Sequence, residues 1–410
     1  MKSSHAILRI LSQSPISYIC SNCLSRTLSL ATKTTRLYST STSSPPSKPP
    51  PSKPPPSAAY AHLSDRRLIA LTGPDSTHYL QGVITANLSP NAPRTSGFYA
   101  AFLNASGRLL NDVFVYPYVD GGGGKYGAEG GGGWLIEVDA KEVDVLAKHI
   151  RRYRLRSRFE VRVLEVGERG VWSLWADGNH DSNGNSDGDF NGNGRNWTKG
   201  VIGCEDSRAP GMGRRVLLPG DRKPEADREE CTEEVYRLRR YLKGVPEGQD
   251  ELVREQALPQ ESNVDYMGGI DYRKGCYVGQ ELTIRTHHRG VVRKRILPVM
   301  IYGVDEKEPE VLQYLGGGGG LWGAESIPRE TGIGRWEKKG RSAGKFLVGL
   351  GNVGLGLCRL ETMTDVQLAQ GEGISKGEGD EFKLEWEQEG EGRVVKVKAF
   401  VPTWHLARSN

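Results

Sequence analysis

Apolar residues recur along this 410-residue chain in two rhythms, and each rhythm predicts a kind of element. Residues 68–71 form a short apolar block and read as a strand. Asp75 is then placed to cap a helix running to about Ala86. Residues 98–103 and 109–116 read as two strands paired around a turn at 105–107. A strand over 134–138 follows, and Asp139 opens a helix with Val143, Leu146 and Ile150 at helical spacing. Residues 159–164 and 171–175 are further strands. Thr232 is placed to cap a helix carrying Val235, Leu238 and Leu242, and Gly244 stands where a left-handed terminating residue is wanted. From Val291 onward the pattern is strand-like, at 291–301, 346–350, 356–361 and 394–401. This order predicts an α+β body followed by a small all-β domain. The length allows two or three domains with a substantial core.

Low-complexity stretches interrupt the pattern. Residues 45–56 are almost wholly Pro, Ser and Lys and read as an extended, solvated spacer. Residues 121–133 are mostly Gly, 177–196 are rich in Asn, Gly and Asp, and 316–320 are five glycines. None can bury enough apolar surface to offset its ordering entropy, so they read as surface insertions. The sequon at Asn196, Trp197 and Thr198 is relevant only to a secreted protein.

Charge changes the picture at the start of the chain. Residues 1–57 hold Lys2, Arg9, Arg26, Lys33, Arg36, Lys48 and Lys53 and no acid; the first acid is Asp65. Ser, Thr and Arg with scattered Leu and Ile make the composition of a mitochondrial transit peptide, and the run from Arg36 to Ser39 is similar to a matrix-protease cleavage site. We therefore expect a leader over 1–38, a linker over 39–59, a folded α+β region over 60–290 and a β domain over 291–408, in a protein of the mitochondrial matrix. The formal net charge of +5, less those seven cations, leaves −2 for the rest. A faintly acidic body gives no support for nucleic-acid binding. No run of apolar residues is long enough to span a membrane as a helix.

The six cysteines set limits on metal chemistry. Cys20 and Cys23 fall in the expected leader and would be lost on import. Cys204, Cys231, Cys276 and Cys358 lie far apart, without zinc-ligand spacing, and in a reducing matrix are expected as free thiols.

The densest chemistry is Lys274-Gly275-Cys276-Tyr277-Val278-Gly279-Gln280-Glu281, followed closely by Arg285, His287, His288 and Arg289. Two glycines bracket one thiol and permit tight turns and close approach of a ligand. Nearby cations favour the thiolate, the nucleophilic and metal-binding form. Gln280 and Glu281 offer an amide and a carboxylate to a polar heterocycle. Composition leaves a plainer reading open: a buried cysteine beside a Gly-rich turn, with solvated basic residues after it. The basic run from Arg151 to Arg156 has the same two readings, an anion-attracting patch or a solvated helix end. Trp404 and His405 read as packing residues.

The motif from Lys274 to Glu281 resembles the signature of the YgfZ-type, glycine-cleavage T-protein-related folate-binding family, in its mitochondrial iron–sulfur subgroup. Glu261 to Asn263, Gly268 to Ile270, and Arg285 to Arg295 resemble its flanks. Upstream, Leu71 to Asp75, Tyr79 to Thr85, Gly97 to Val115 and Arg240 to Pro246 resemble the family's first strand, helix, hairpin and helix end. The resemblance covers roughly 62–300 and is looser at Gly349, Gly354, Leu357 and Arg359.

The resemblance implies a ring of α+β domains with a C-terminal β-barrel and a central folate-sized opening. It implies a factor acting late in iron–sulfur assembly that supports [4Fe–4S] clusters in matrix client enzymes. Tetrahydrofolate would bind centrally, with Lys274, Gly275, Gly279, Gln280, Glu281 and Arg285 as binding residues. Cys276 would act as a redox thiol or as a transient cluster ligand shared with an A-type iron–sulfur carrier protein. Two positions depart from the aminomethyltransferase. Its acidic hairpin pair is Asn111-Asp112 here, and its pterin-anchoring glutamate is Leu242. Leucine cannot supply charge-assisted hydrogen bonds. Asp112 is left as the candidate base, or as a solvent-facing hairpin aspartate. The rival readings are a folate-dependent one-carbon transferase and an RNA-associated folate-binding module.

Overall fold

The computed structural model describes residues 49–88, 94–119, 132–177, 201–316, 323–337, 340–366 and 380–408. The expected leader with Cys20 and Cys23, the sequon, and most of each low-complexity insertion lie outside the described residues.

The strands of the α+β region are β1 (Ala58–His62), β2 (Arg66–Thr72), β3 (Phe98–Leu103), β4 (Leu109–Val119), β5 (Gly132–Asp139), β6 (Glu160–Val163), β7 (Arg169–Ala176), β8 (Ile202–Glu205), β9 (Arg214–Pro219) and β10 (Glu229–Cys231). They form two five-stranded sheets. One has the order β10-β1-β7-β9-β8 and the other β3-β4-β5-β2-β6. The helices are α1 (Ser76–Val83), α2 (Val143–Tyr153), α3 (Glu233–Lys243) and α4 (Gln280–Arg289). Beyond them β11 (Lys294–Tyr302), β12 (Gly332–Arg335), β13 (Gly344–Leu350), β14 (Val353–Arg359), β15 (Phe382–Gln388) and β16 (Glu391–Ala399) close a barrel in the order β11-β14-β13-β12-β15-β16.

The strand period of two explains the layering. On β2, Ile69 and Leu71 face a core covered by α1 and α2, with Leu80, Leu146 and Ile150. Leu68 and Ala70 face the opposite way, into a central core shared by both sheets, α3 and the outside of the barrel. The barrel holds its own interior around Phe346, Leu384 and Val397. Both faces of the second sheet are thus buried, which is why its strands read as apolar blocks.

Several expectations are corrected in detail. Asp75 stands before α1, but its carboxylate accepts from the backbone N–H of Arg158 (2.7 Å) and makes no cap bond to the helix. The helix stops at Val83 because the chain turns extended and Ile84 bridges to Phe102. Thr232 also makes no side-chain cap; Glu233 in the same turn instead accepts from Ser64 and Asp65 at the β1–β2 corner. Asp139 does cap, accepting from the N–H of Lys141 (2.8 Å). The end of the Pro-rich spacer is held on the body: Pro56 accepts from Trp175 Nε1 (3.0 Å) and Pro51 from the Tyr314 hydroxyl. β1 begins two residues inside the expected linker. Its Ala59 and Ala61 have no intrinsic strand preference, but they are fully buried between β7 and β10.

Candidate functional site

Cys276 is exposed at the crown of a loop that the rest of the molecule fixes from several sides. Asp271 donates its N–H to the carbonyl of Thr85 (3.0 Å), and Val278 donates to Gly82 (3.0 Å). Thr85 is itself buried, with its hydroxyl on the carbonyl of Gly269 (2.5 Å). Between these anchors Lys274 reaches into the C-terminal end of α1. Its ammonium donates to the carbonyls of Gln81 (2.8 Å), Ile84 (2.6 Å) and Ala86 (2.9 Å). Gln81 lies in the last turn of α1, where carbonyls lack partners within the helix, and Ile84 and Ala86 lie beyond its end; a cation there also suits the helix dipole. Burial pushes the Lys274 amine down to about 8, against a smaller opposing effect of Asp271.

This corrects two expectations about the motif. Three carbonyls use all three ammonium donors, so Lys274 builds the loop and has no donor left for a ligand. Gln280 is likewise used internally, accepting from the N–H of Tyr277 (3.1 Å). Gly279 has φ +80°, and a Cβ there would stand 2.4 Å from the Asn104 carbonyl oxygen and 3.1 Å from Gly107 Cα. Its role is to let the motif lie directly on the β3–β4 turn. Gly107, with φ +81°, returns the contact: a Cβ there would stand 2.6 Å from Leu282 Cβ. We expect Gly279→Ala to cost about 1–3 kcal/mol, read from urea melts, because the backbone conformation and the contact both oppose a side chain. Melts superimposable on wild type would remove this docking from the account. Gly275 has open space around it, so nothing in the chain itself requires a glycine there.

From Gly279 the chain enters α4, of which only Thr283 is buried. The Thr283 hydroxyl meets the Tyr277 hydroxyl (2.9 Å) and bonds the Gln280 carbonyl (2.8 Å), tying the first turn back to the motif. Glu281, Arg285, His288 and Arg289 are exposed, and exposed His287 stacks on Tyr272 with ring centroids 3.8 Å apart. An exposed thiol therefore sits beside an exposed, mainly basic helix. The plainer reading of a buried cysteine is excluded by this placement. The other described thiols contrast with it. Cys204 and Cys358 are buried, and burial pushes their thiols well above the ordinary value. Cys231 is half-buried on β10, and burial pushes it to about 11.

Asp112 is elsewhere and in a different state from that expected. It is fully buried on β4, not solvent-facing. Its Oδ2 meets Arg66 Nη1 (3.4 Å) and its Oδ1 accepts from the N–H of Gly248 (3.1 Å). Arg66 also binds Glu137 (2.9 Å), and Arg215 binds Glu137, Glu247 and the Tyr236 hydroxyl. Arg208 joins Asp206 (2.7 Å) to Glu247 (2.8 Å). Arg240 holds Glu251 in a two-pronged pair at 2.7 and 2.9 Å. A buried ionic network thus fills the space between the sheets and α3. Burial alone would raise the Glu247 carboxyl, but Arg215, Arg208, Arg240 and Arg66 outweigh it and hold it well below the ordinary value. With both oxygens engaged, Asp112 is a structural ion and not a base poised for substrate. Asn111, also fully buried, accepts from Arg254 Nη1 (2.7 Å), and Leu242 packs half-buried on the central core.

The basic run from Arg151 to Arg156 spans the end of α2: Arg151 and Arg154 donate to the carbonyls of Val161 (3.0 Å) and Phe159 (2.7 Å). Trp404 donates to the carbonyl of Lys243 (2.9 Å), docking the C-terminus on the end of α3. A cavity of about 410 Å³ opens between residues 251–262 and the barrel, with Arg108, Lys294, Lys345 and Arg359 on its walls beside Ile296, Leu347 and Leu357. Sequence reading missed it because its walls come from segments that meet only in the fold.

Comparison with known proteins bears on this geometry. The chain is 48% identical to the mitochondrial iron–sulfur cluster assembly factor IBA57 homolog of Pyricularia oryzae, over 97% of this chain and 94% of that protein. The chain belongs to the IBA57 family. It is also 47% identical to the Chaetomium globosum homolog (85% of this chain, 83% of that one) and 44% identical to the Neurospora crassa homolog (85% and 81%). The family model described as the CAF17 C-terminal beta-barrel domain matches residues 293–405. The crystal structure of the glycine cleavage system aminomethyltransferase T from Bartonella henselae superposes with a TM-score of 0.53 at 12% identity, over 84% of this chain and 86% of that one. That likeness shows a T-protein-like fold, as expected.

Proposed function

We propose that this protein is a mitochondrial iron–sulfur cluster assembly factor of the matrix, and that Cys276 is the residue through which it handles its cargo. The observation that carries this reading is the exposed Cys276 thiol on a loop pinned to Thr85, Gly82 and the end of α1. A fixed, accessible thiol suits a transient bond to a cluster, since thiolates are the ordinary ligands of iron–sulfur clusters. One thiol cannot hold a cluster, so a partner supplies the remaining ligands. We assign that part to an A-type iron–sulfur carrier protein, docking over the loop and the exposed face of α4 with Arg285, His288 and Arg289. The products serve [4Fe–4S] client enzymes of the matrix.

We assign tetrahydrofolate to the cavity beside the barrel. Its volume of about 410 Å³ falls within the roughly 300–1,000 Å³ of small-molecule sites. Arg108 and Arg359 suit the ligand's glutamate carboxylates, Lys294 and Lys345 are already paired with Glu261 (4.0 Å) and Glu330 (3.3 Å) on the same wall, and Ile296, Leu347 and Leu357 suit its ring system. Bound folate would offer a one-carbon carrier, but Asp112 is held by Arg66 and the Gly248 N–H, and Glu251 is held on both oxygens by Arg240. The one-carbon transferase reading is therefore not favoured, and the faintly acidic body does not favour the RNA reading.

The test is anaerobic cluster reconstitution of the mature protein, alone and with an A-type carrier, for wild type and Cys276→Ser. The expected result is a cluster spectrum that needs both proteins and is lost in Cys276→Ser. A cluster that forms equally well with Cys276→Ser would overturn the assigned role of the thiol.

A further inference from the structure

The end of α2 and the turn after it carry a basic edge with apolar tips. Val143, Leu146, Ala147 and Ile150 face the core, and Val145, Lys148 and Arg152 lie on the opposite side of the helix. From Val145 to Phe159 the chain holds six cations, Lys148, Arg151, Arg152, Arg154, Arg156 and Arg158, and no acid; Asp144 and Glu160 bound the run. The rest of the folded body is net acidic, so positive charge is concentrated here. Arg158 is paired with Asp75 (3.3 Å), but Lys148, Arg152 and Arg156 are exposed and have no ion pair among the described residues. Three large apolar side chains stand among these charges. Leu155 is 84% exposed, Tyr153 49% and Val145 43%.

Leu155 also has φ +50°, a left-handed turn that favours glycine or asparagine and that a leucine adopts at a cost. The bonds around it hold the turn in place. Ser157 donates its N–H to the carbonyl of Arg154 (2.9 Å), Arg154 donates to the carbonyl of Phe159 (2.7 Å), and Arg158 donates its N–H to Asp75 (2.7 Å). The apex thus presents a leucine that the fold leaves in water.

A solvated helix end would account for the arginines, but not for a strained, exposed leucine between two of them. Cations beside apolar tips match a lipid surface. There long basic side chains reach the headgroups, while Leu and Tyr enter the boundary with the acyl chains. Each Lys or Arg held near an anionic bilayer adds to the attraction. A nucleic acid would meet the cations with its phosphates, but offers the aliphatic tips no acyl phase.

We propose that the end of α2 and the turn after it form a docking surface for an anionic lipid bilayer. Leu155 is the tip that enters the bilayer, and Lys148, Arg152 and Arg156 meet its headgroups. The surface shares no residue with the Cys276 loop or with the cavity beside the barrel.

The experiment is flotation of the full mature chain with vesicles of phosphatidylcholine, alone or with about one-third cardiolipin. The protein should float with the cardiolipin vesicles, stay behind with the neutral ones, and be released by added salt. Leu155→Gly removes the tip and suits the left-handed backbone. It should melt at or above the wild-type temperature yet bind about fivefold more weakly. Arg152→Glu combined with Arg156→Glu reverses two exposed charges and should weaken binding by about tenfold or more. No flotation with cardiolipin vesicles, or equal flotation of Leu155→Gly and wild type, would overturn the surface. Equal flotation with neutral vesicles would overturn its assignment to anionic lipid. A single-stranded RNA that binds as tightly as the vesicles, and equally well to Leu155→Gly, would overturn the proposal in favour of nucleic acid. Leu155→Gly decides the matter even if the double variant does not fold.

Discussion

Cys276→Ala should fold and melt like wild type yet fail to restore the activity of matrix [4Fe–4S] enzymes in a deletion strain. The stability half follows from exposure. The thiol is on the surface and the loop around it is held by other groups: Lys274 on the end of α1, Val278 on Gly82 and Gly279 on the hairpin turn. Removing one exposed sulfur leaves every one of those contacts in place, so the change in stability should stay within about 0.5 kcal/mol. The activity half follows from the chemistry of a ligand, since alanine offers no bond to iron. Cys358→Ala is the informative contrast. Cys358 is fully buried in the barrel, so its loss leaves a small cavity and lowers stability without touching the loop. If Cys276→Ala rescued the strain completely, the thiol would be an ordinary surface residue and the proposed mechanism would fail.

The second large effect concerns the ionic network. Arg215→Met should destabilise the protein by about 3–5 kcal/mol, because Glu137 and Glu247 would each lose a buried partner in a site closed to water. For a domain of this size that is a fall in Tm of roughly 5–10 °C. The same network fixes a pH dependence. Glu247 and Asp206 are both held below their ordinary values in the folded state: burial opposes this, and the arginines around them outweigh it. A depressed carboxyl contributes stability that is fully present above its unfolded value and is lost as pH falls through the folded one. Wild-type stability should therefore change little from neutral pH down to the ordinary carboxylate range and fall steeply below it. In Arg215→Met the carboxylates lose the charge that depresses them, so the fall should begin at higher pH. Denaturant melts across pH for both proteins check this. A variant as stable as wild type, with the same acid limb, would mean that Arg215 is not what neutralises the centre.

The candidate site was legible in part. The spacing from Lys274 to Glu281 marks out the loop and its one thiol, because glycines and a lone cysteine among cations are visible in any arrangement. The assignment of roles within the loop was not legible. Lys274 and Gln280 look like ligand-binding groups in sequence, and only the approach of the α1 end and the return of the Tyr277 N–H turn them into scaffolding. Asp112 shows the opposite error of scale. An aspartate beside a hairpin turn looks solvated, and it is buried because Arg66 comes to it from another strand of the same sheet.

Helix α3 shows where the boundary lies. Its C-terminal end follows from a local rule, since Gly244 at φ +71° stops it as expected. Its inward face does not follow the apolar period: Tyr236, Arg239 and Arg240 are buried with Leu238, whereas Val235 and Leu242 are only partly so. Buried arginines become tolerable only when Glu247, Glu251 and Asp177 are brought to them from outside the helix. By itself the sequence determined what is local: the strands and helices with clean periodicity, the all-β end of the chain, and the motif around Cys276. The tertiary structure alone decided which charges are paired, which cysteine is exposed, and how the walls of the cavity beside the barrel are assembled. Each of those depends on groups distant in sequence meeting in a medium where an unpaired charge is costly, and no short window of residues carries that information.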